Sequence, residues 1–151
     1  MRTPVTTILR TQGETVVTRP DQSVFEAVKT MSERNVGSIL IADEKGCLEG
    51  IFTERDLLRR VTACGLDPSS TPISDVMTTD VLTVDRNVYR QDVHHLMKEH
   101  HVRHIPVVSA NKILGVISLR DVLRSENEEK SIELEHLRGY VSEKPYPSYP
   151  G

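Results

Sequence analysis

The stretch Gly50-Ile51-Phe52-Thr53-Glu54-Arg55-Asp56-Leu57-Leu58 decides the fold, because it returns sixty-five residues later as Gly115-Val116-Ile117-Ser118-Leu119-Arg120-Asp121-Val122-Leu123. In each copy a glycine leads into aliphatics, then a hydroxyl residue, two mixed positions, an aspartate, and further aliphatics at helical spacing. That is the end of a buried strand feeding a helix. The hydroxyl and the acid three residues on have the form of a capping box, in which Thr53 or Ser118 accepts from first-turn amides and the acid reaches back. Ser23-Val24-Phe25-Glu26 and Ser125-Glu126-Asn127-Glu128 fit the same template, so the spacing alone implies no ligand. The two glycine-bearing copies stand apart by their equivalent place in two repeats, where backbone donors, a hydroxyl and a carboxylate converge at a strand-to-helix mouth. Such a mouth suits a ribose and a phosphate: the carboxylate accepts from paired sugar hydroxyls, and the helix N-terminus favours anions.

The repeat extends outward from these copies. Pro4-Val5-Thr6-Thr7-Ile8-Leu9 and Pro72-Ile73-Ser74-Asp75-Val76-Met77 each open a half as a short helical turn begun by proline. Val16-Val17-Thr18 and Val81-Leu82-Thr83 read as short strands before polar turns. Over 23–34, Val24, Ala27, Val28 and Met31 give one apolar helix face, and the matching helix over 88–100 turns Tyr89, Val93, Leu96 and Met97 inward. Aliphatic runs at 38–42 and 48–52, and again at 105–108 and 113–117, flank short polar turns and so form hairpins. Helices over 54–62 and 119–125 close the halves.

Each repeat is thus strand, helix, strand, strand, helix, with 64–71 as linker. Neither half is large enough to bury both faces of its sheet, so the α/β halves are expected to pack sheet to sheet about a pseudo-twofold axis, creating two related clefts. The expected organisation is a first repeat with its N-terminal segment (1–65), linker and second repeat (66–125), a C-terminal helix (126–143) and a flexible tail (144–151). Ser125 is expected to cap that charged helix, Gly139 to end it, and Ile132, Leu134, Leu137, Tyr140 and Val141 to give it a thin apolar stripe. The tail Lys144-Pro145-Tyr146-Pro147-Ser148-Tyr149-Pro150-Gly151 suits a polyproline-like conformation.

Composition narrows the function. The net charge is −3, basic residues are scattered among acids, tryptophan is absent and aromatics make up 4 %, which excludes a basic or base-stacking nucleic-acid surface. No apolar run approaches the roughly 20 residues of a membrane span, and the N-terminus lacks a signal peptide's hydrophobic region, so an intracellular protein is expected. Cys47 and Cys64 form no CxxC pair and read as reduced thiols, Cys64 being the one placed for a redox role. His94 and His101 share a helix face, but nothing is spaced to complete a tetrahedral zinc set with them, so no metal is expected. No phosphate loop, nucleophile elbow or paired-carboxylate motif proposes catalysis.

The twice-repeated Gly-x-x-Thr/Ser-x-x-Asp, the helices ending near Met31 and Met97, and Val102-Arg103-His104-Ile105-Pro106-Val107-Val108 together resemble a tandem pair of CBS domains, a Bateman module, over about 4–123. The Phe52-Thr53-Glu54-Arg55-Asp56 and Arg103-His104-Ile105-Pro106 wording, with the Glu- and Leu-bearing C-terminal helix, is similar to short stand-alone CBS-pair proteins of bacteria and organelles. The resemblance implies a non-catalytic module binding AMP, ADP, ATP, NADH or S-adenosylmethionine as a regulatory ligand, forming a homodimer and passing energy or redox state to a regulated protein. It implies that Asp56 and Asp121 hold ribose hydroxyls, with Thr53 and Ser118 near ribose or phosphate. The backbone around Thr18 and Thr83, with Ile39, Leu40, Ile105 and Pro106, would line the adenine slot, and Arg103 and His104 would meet phosphate. The first repeat departs there, with Gly37 and Ser38, which leaves Arg55 or Arg120 as substitutes. Two other readings remain: a ligand-free dimerisation or interaction module, and a redox-linked regulator of a thiol enzyme such as thioredoxin.

Overall fold

The computed structural model describes residues 2–11 and 15–141 and contains two three-stranded sheets, one from each repeat. After α1 (Val5–Thr11), the first repeat supplies β1 (Val17–Thr18), α2 (Val24–Arg34), β2 (Ser38–Ala42), β3 (Leu48–Thr53) and α3 (Glu54–Asp56). The second, entered through a 3-10 turn at Ile73–Asp75, supplies β4 (Val84–Asp85), α4 (Arg90–His100), β5 (His104–Ser109), β6 (Lys112–Ser118) and α5 (Leu119–Val141). In both sheets the middle strand runs parallel to the short leading strand and antiparallel to its hairpin mate. Both middle strands carry an irregularity at the same place, Ile41/Ala42 and Val107/Val108.

Local chemistry sets these elements. Ser23 caps α2 by accepting from the Glu26 amide at 3.2 Å, and α2 and α4 both end on left-handed residues, Asn35 (φ 54°) and His101 (φ 55°). The first hairpin turns on the Asp43 carboxylate, which accepts from the Lys45 and Cys47 amides at 2.9 Å. The second closes on Ala110 and Asn111 with φ of 49° and 64°, a primed two-residue turn whose twist matches the strands. Ile39 and Ile41 are buried with the helices of their own repeat. Leu40 is as deeply buried but belongs to neither helix-side core, because strand alternation turns it to the opposite face, between the halves. Pro106 holds the equivalent place. A main-chain bridge joins Cys47 to Lys112, equivalent residues of the two repeats, so it lies on the pseudo-twofold axis.

The leading segments are exchanged. Val5 and Ile8 of α1 are buried in the core of the second repeat, with Val93, Ile105 and Ile117, while Ile73 and Val76 are buried in the core of the first, with Val24, Ile39 and Phe52. The same backbone bonds hold both: Val5 N to Val88 O (3.1 Å) and Arg90 N to Thr3 O (2.7 Å), matched by Ile73 N to Gln22 O (2.7 Å) and Val24 N to Thr71 O (2.9 Å). This exchange explains the glycine of the repeated motif. A Cβ on Gly50 would lie 2.7 Å from Met77 Sδ and 2.9 Å from the Thr78 carbonyl oxygen, and one on Gly115 would lie 2.6 Å from Leu9 Cδ2.

Four sequence expectations are corrected. The strand expected at 81–83 forms instead at Val84–Asp85. In the first sheet the Leu40 amide donates to Val16 O at 3.1 Å, but its equivalent Pro106 has no N–H to offer Leu82, so Thr83 stays outside the ladder. The helix after Thr53 makes one α-turn and then becomes a π-helix over Leu57–Thr62. Ser125 caps no separate helix, and Gly139 ends none: α5 runs unbroken from Leu119 to Val141. Ser125 Oγ instead accepts from buried Arg90 at 3.0 Å, and Arg90 also pairs with Glu129 and holds that carboxyl below its ordinary range, which fastens the first turns of α5 to α4. Tyr89 stands at the N-cap position of α4 rather than on its core face, its amide donating to Asp92 Oδ2 at 3.3 Å and its ring centroid 5.3 Å from the Arg2 guanidinium. Ile132, Leu134 and Leu137 are exposed; the side chains of Tyr140 and Val141, and the tail 144–151, lie outside the described residues.

The two glycines should respond differently to the same change. Gly50→Ala meets a backbone oxygen and is expected to cost about 3 kcal/mol, whereas Gly115→Ala meets only a leucine terminus that can rotate and should cost about 1 kcal/mol. Urea unfolding of the two variants measures the difference, and equal losses would contradict the exchanged packing.

Candidate functional site: two strand-to-helix mouths

Each mouth is built by a capping box. Asp56 Oδ2 accepts from Thr53 N (3.0 Å) and Thr53 Oγ1 (3.2 Å), while the Asp56 amide donates back to Thr53 Oγ1 (3.3 Å). Asp121 Oδ2 accepts from Ser118 N (2.8 Å) and Ser118 Oγ (2.7 Å), and the Asp121 amide donates to Ser118 Oγ (3.1 Å). Capping is therefore real at both places. It also fixes a carboxylate, a hydroxyl and first-turn amides at a helix N-terminus, the set an anionic or polyhydroxyl ligand needs.

The mouths are composite. The segment leading into β4 begins beside β3, where Ile51 N donates to Thr78 O (3.0 Å) and Thr78 N to Ile51 O (2.9 Å). The segment leading into β1 passes β6, placing Thr15 Oγ1 3.5 Å from where a Gly115 Cβ would stand. Each corner is thus flanked by the leading segment of the other repeat. His104, at the start of β5, also crosses over: its Nε2 lies 3.2 Å and Glu54 Cδ 3.5 Å from the Cβ position of Gly37. Arg55 Nη1 reaches the His101 carbonyl at 3.4 Å, and Arg60 donates to the carbonyls of Val76 and Met77 at 3.3 and 3.0 Å while its Nε lies 3.5 Å from Asp56 Oδ1. Arg103 and Arg120 are exposed and form no hydrogen bond or ion pair among the described residues.

The expected site residues divide accordingly. Thr53, Asp56, Ser118, Asp121, Arg103, Arg120 and His104 cluster at the two mouths. Leu40 and Pro106 lie on the sheet faces between the halves, while Ile39 and Ile105 face the helix-side cores. Thr18 stands opposite Ile41, three residues along β2 from Ser38, which is level with Thr53; that places it about 10 Å from the mouth. Thr83 lines a groove of about 340 Å³ with Cys47, Leu48, Glu49 and Val81, at the far end of β3 from Thr53. In the motif Glu54 is one of the two mixed positions and carries no expected role; its place beside His104 depends on a contact between repeats that no local pattern reveals.

Cys64 is exposed and Cys47 half-buried, both as free thiols. His94 is taken by Glu126 at 2.7 Å and His95 lies 3.8 Å from Glu99, and no group of three or more metal-ligating side chains occurs among the described residues. Among those residues no helix is long and apolar enough to cross a membrane.

Burial lowers the pKa of His104 below its ordinary value of 6.5, against the opposing pull of Glu54 and Asp121 and with the help of Arg103 and Arg120. The unfolded chain takes up this proton near its ordinary pKa and the folded chain resists it. The stability it contributes is therefore present above about pH 6.5 and lost as pH falls below that value. Thermal unfolding between pH 7.5 and 5.5 should show a steeper acid loss for wild type than for His104→Gln, and equal slopes would contradict a desolvated ring.

Comparison with known proteins agrees with this architecture. The CBS-domain family profile matches residues 1–63 and 73–128. The chain is 38 % identical over 114 residues to the CBS domain-containing protein YhcV of Bacillus subtilis, covering 76 % of this chain and 79 % of that one. It is 35 % identical over 125 residues to the mitochondrial CBS domain-containing protein CBSX3 of Arabidopsis thaliana, covering 80 % of this chain and 61 % of that one. A solved CBS-domain structure with 32 % identity superposes with a TM-score of 0.78, covering 83 % of this chain and 98 % of its own. The two repeats, their exchanged leading segments and these matches place the chain in the CBS-domain family, as a tandem pair.

Proposed function

We propose that this CBS pair is a non-catalytic regulatory module that takes an adenosine-containing nucleotide, of the AMP, ADP, ATP or NADH class, and passes its occupancy to a regulated protein. The observation that carries the reading is the second mouth: the Ser118–Asp121 capping box stands at the N-terminus of the 23-residue α5, beside Arg103 and Arg120, which are exposed and have no ion-pair partner among the described residues. The carboxylate suits ribose hydroxyls, and the guanidiniums suit phosphate. The Leu82 carbonyl, which Pro106 leaves without its ladder donor, suits an exocyclic amine.

Transmission follows from the same helix. α5 starts at the ligand mouth and carries Ile132, Leu134 and Leu137 exposed near its other end. A ligand that favours one placement of the α5 start thereby biases how that apolar surface meets a second copy of the chain or a partner, which is coupling through differential affinity. Exposed Leu58 and Leu123, equivalent in the two repeats, extend the surface available to a homodimer.

A thermal-shift panel of AMP, ADP, ATP, NADH and S-adenosylmethionine tests the reading. A ligand at 100 times its Kd adds about 2.7 kcal/mol of stability, and the shift should disappear in Asp121→Ala or Asp56→Ala, whichever mouth is filled. No shift with any of the five would reject it.

A further inference from the structure

The two mouths are equivalent in backbone and opposite in chemistry. In the first, the Glu54 amide donates to Gly37 O at 3.1 Å; in the second, the Leu119 amide donates to Arg103 O at 2.8 Å. Leu119 thus stands where Glu54 does, and Arg103 where Gly37 does. Position 38, a buried serine, is the counterpart of His104, whose ring lies against Gly37 and Glu54. The cations differ as well. At the first mouth Arg55 is held by the His101 carbonyl, and Arg60 by Val76, Met77 and Asp56. At the second, Arg103 and Arg120 have no such partner among the described residues. Because burial keeps the His104 ring from charging at neutral pH, it does not cancel the Glu54 carboxylate beside it.

We infer that the mouths are not interchangeable: the second takes the phosphate-bearing nucleotide, and the first refuses phosphate because Glu54 and the His104 ring occupy the place that Leu119 and a small serine leave open in the second. The chain accordingly carries one such nucleotide per polypeptide. This rests on the nucleotide reading above and adds which mouth is used and what closes the other.

Calorimetric titration with AMP at pH 7.5 tests it, on wild type, R103E and E54R, both changed at exposed positions, with circular dichroism as the check that each variant keeps its fold. Wild type should bind one AMP per chain, R103E should bind at least tenfold more weakly, and E54R should keep the first event and gain a second. Two AMP per wild-type chain or an affinity indifferent to R103E would each overturn the asymmetry, and an E54R protein that still takes one would overturn the exclusion assigned to Glu54, all while leaving nucleotide binding intact. Absence of heat from wild type with AMP, and likewise with ATP and NADH, would remove the nucleotide reading itself and this inference with it.

Discussion

The close crossing of each leading segment over the third strand of the other repeat is the contact on which the rest depends. Met77 and Thr78 lie against Gly50, and Leu9 against Gly115, at distances that leave no room for a side chain. With these crossings made, Ile73 and Val76 complete one core and Val5 and Ile8 the other. A repeat of roughly sixty residues alone would bury too little apolar surface to offset its conformational entropy. Two repeats that each supply a missing piece of the other solve that problem, and they also bring the strand-to-helix corners together in one module.

That joining is also why the mouths are built from both halves. His104 belongs to the second repeat by sequence and meets Gly37 and Glu54 of the first in space. Arg55 crosses the same boundary to the end of α4. A ligand seated there would touch two bodies whose relative placement it could alter, which is the requirement for a sensor. The continuity of α5 gives the second mouth a direct mechanical extension, anchored by Arg90 through Ser125 and Glu129 and by His94 through Glu126.

Most of the fold was legible because its signals are local and occur twice. The apolar spacing of α2 and α4, the hairpin turns and the Thr/Ser-x-x-Asp corners each predict their element from neighbouring residues. The misses have physical causes. Pro106 displaces β4 by withholding one amide from a strand more than twenty residues away, and Ser125 has the form of a cap while lying inside a helix held by Arg90. Thr18 and Thr83, which the resemblance gives to an adenine slot, stand away from the Thr53 corner along the strands, a separation that strand register sets and motif spacing does not. The partnership of Glu54 with His104 is a contact across repeats, which periodicity does not encode.

The most direct test of the exchanged architecture is native-state hydrogen exchange of buried amides in the two middle strands, Leu40 in one sheet and Val107 in the other. If each repeat lacks a core without the other's leading segment, both amides should exchange through one global opening, with the same free energy and the same dependence on denaturant. Separate openings, with one sheet exchanging several kcal/mol more easily than the other, would mean that the repeats fold as independent units and would contradict the account.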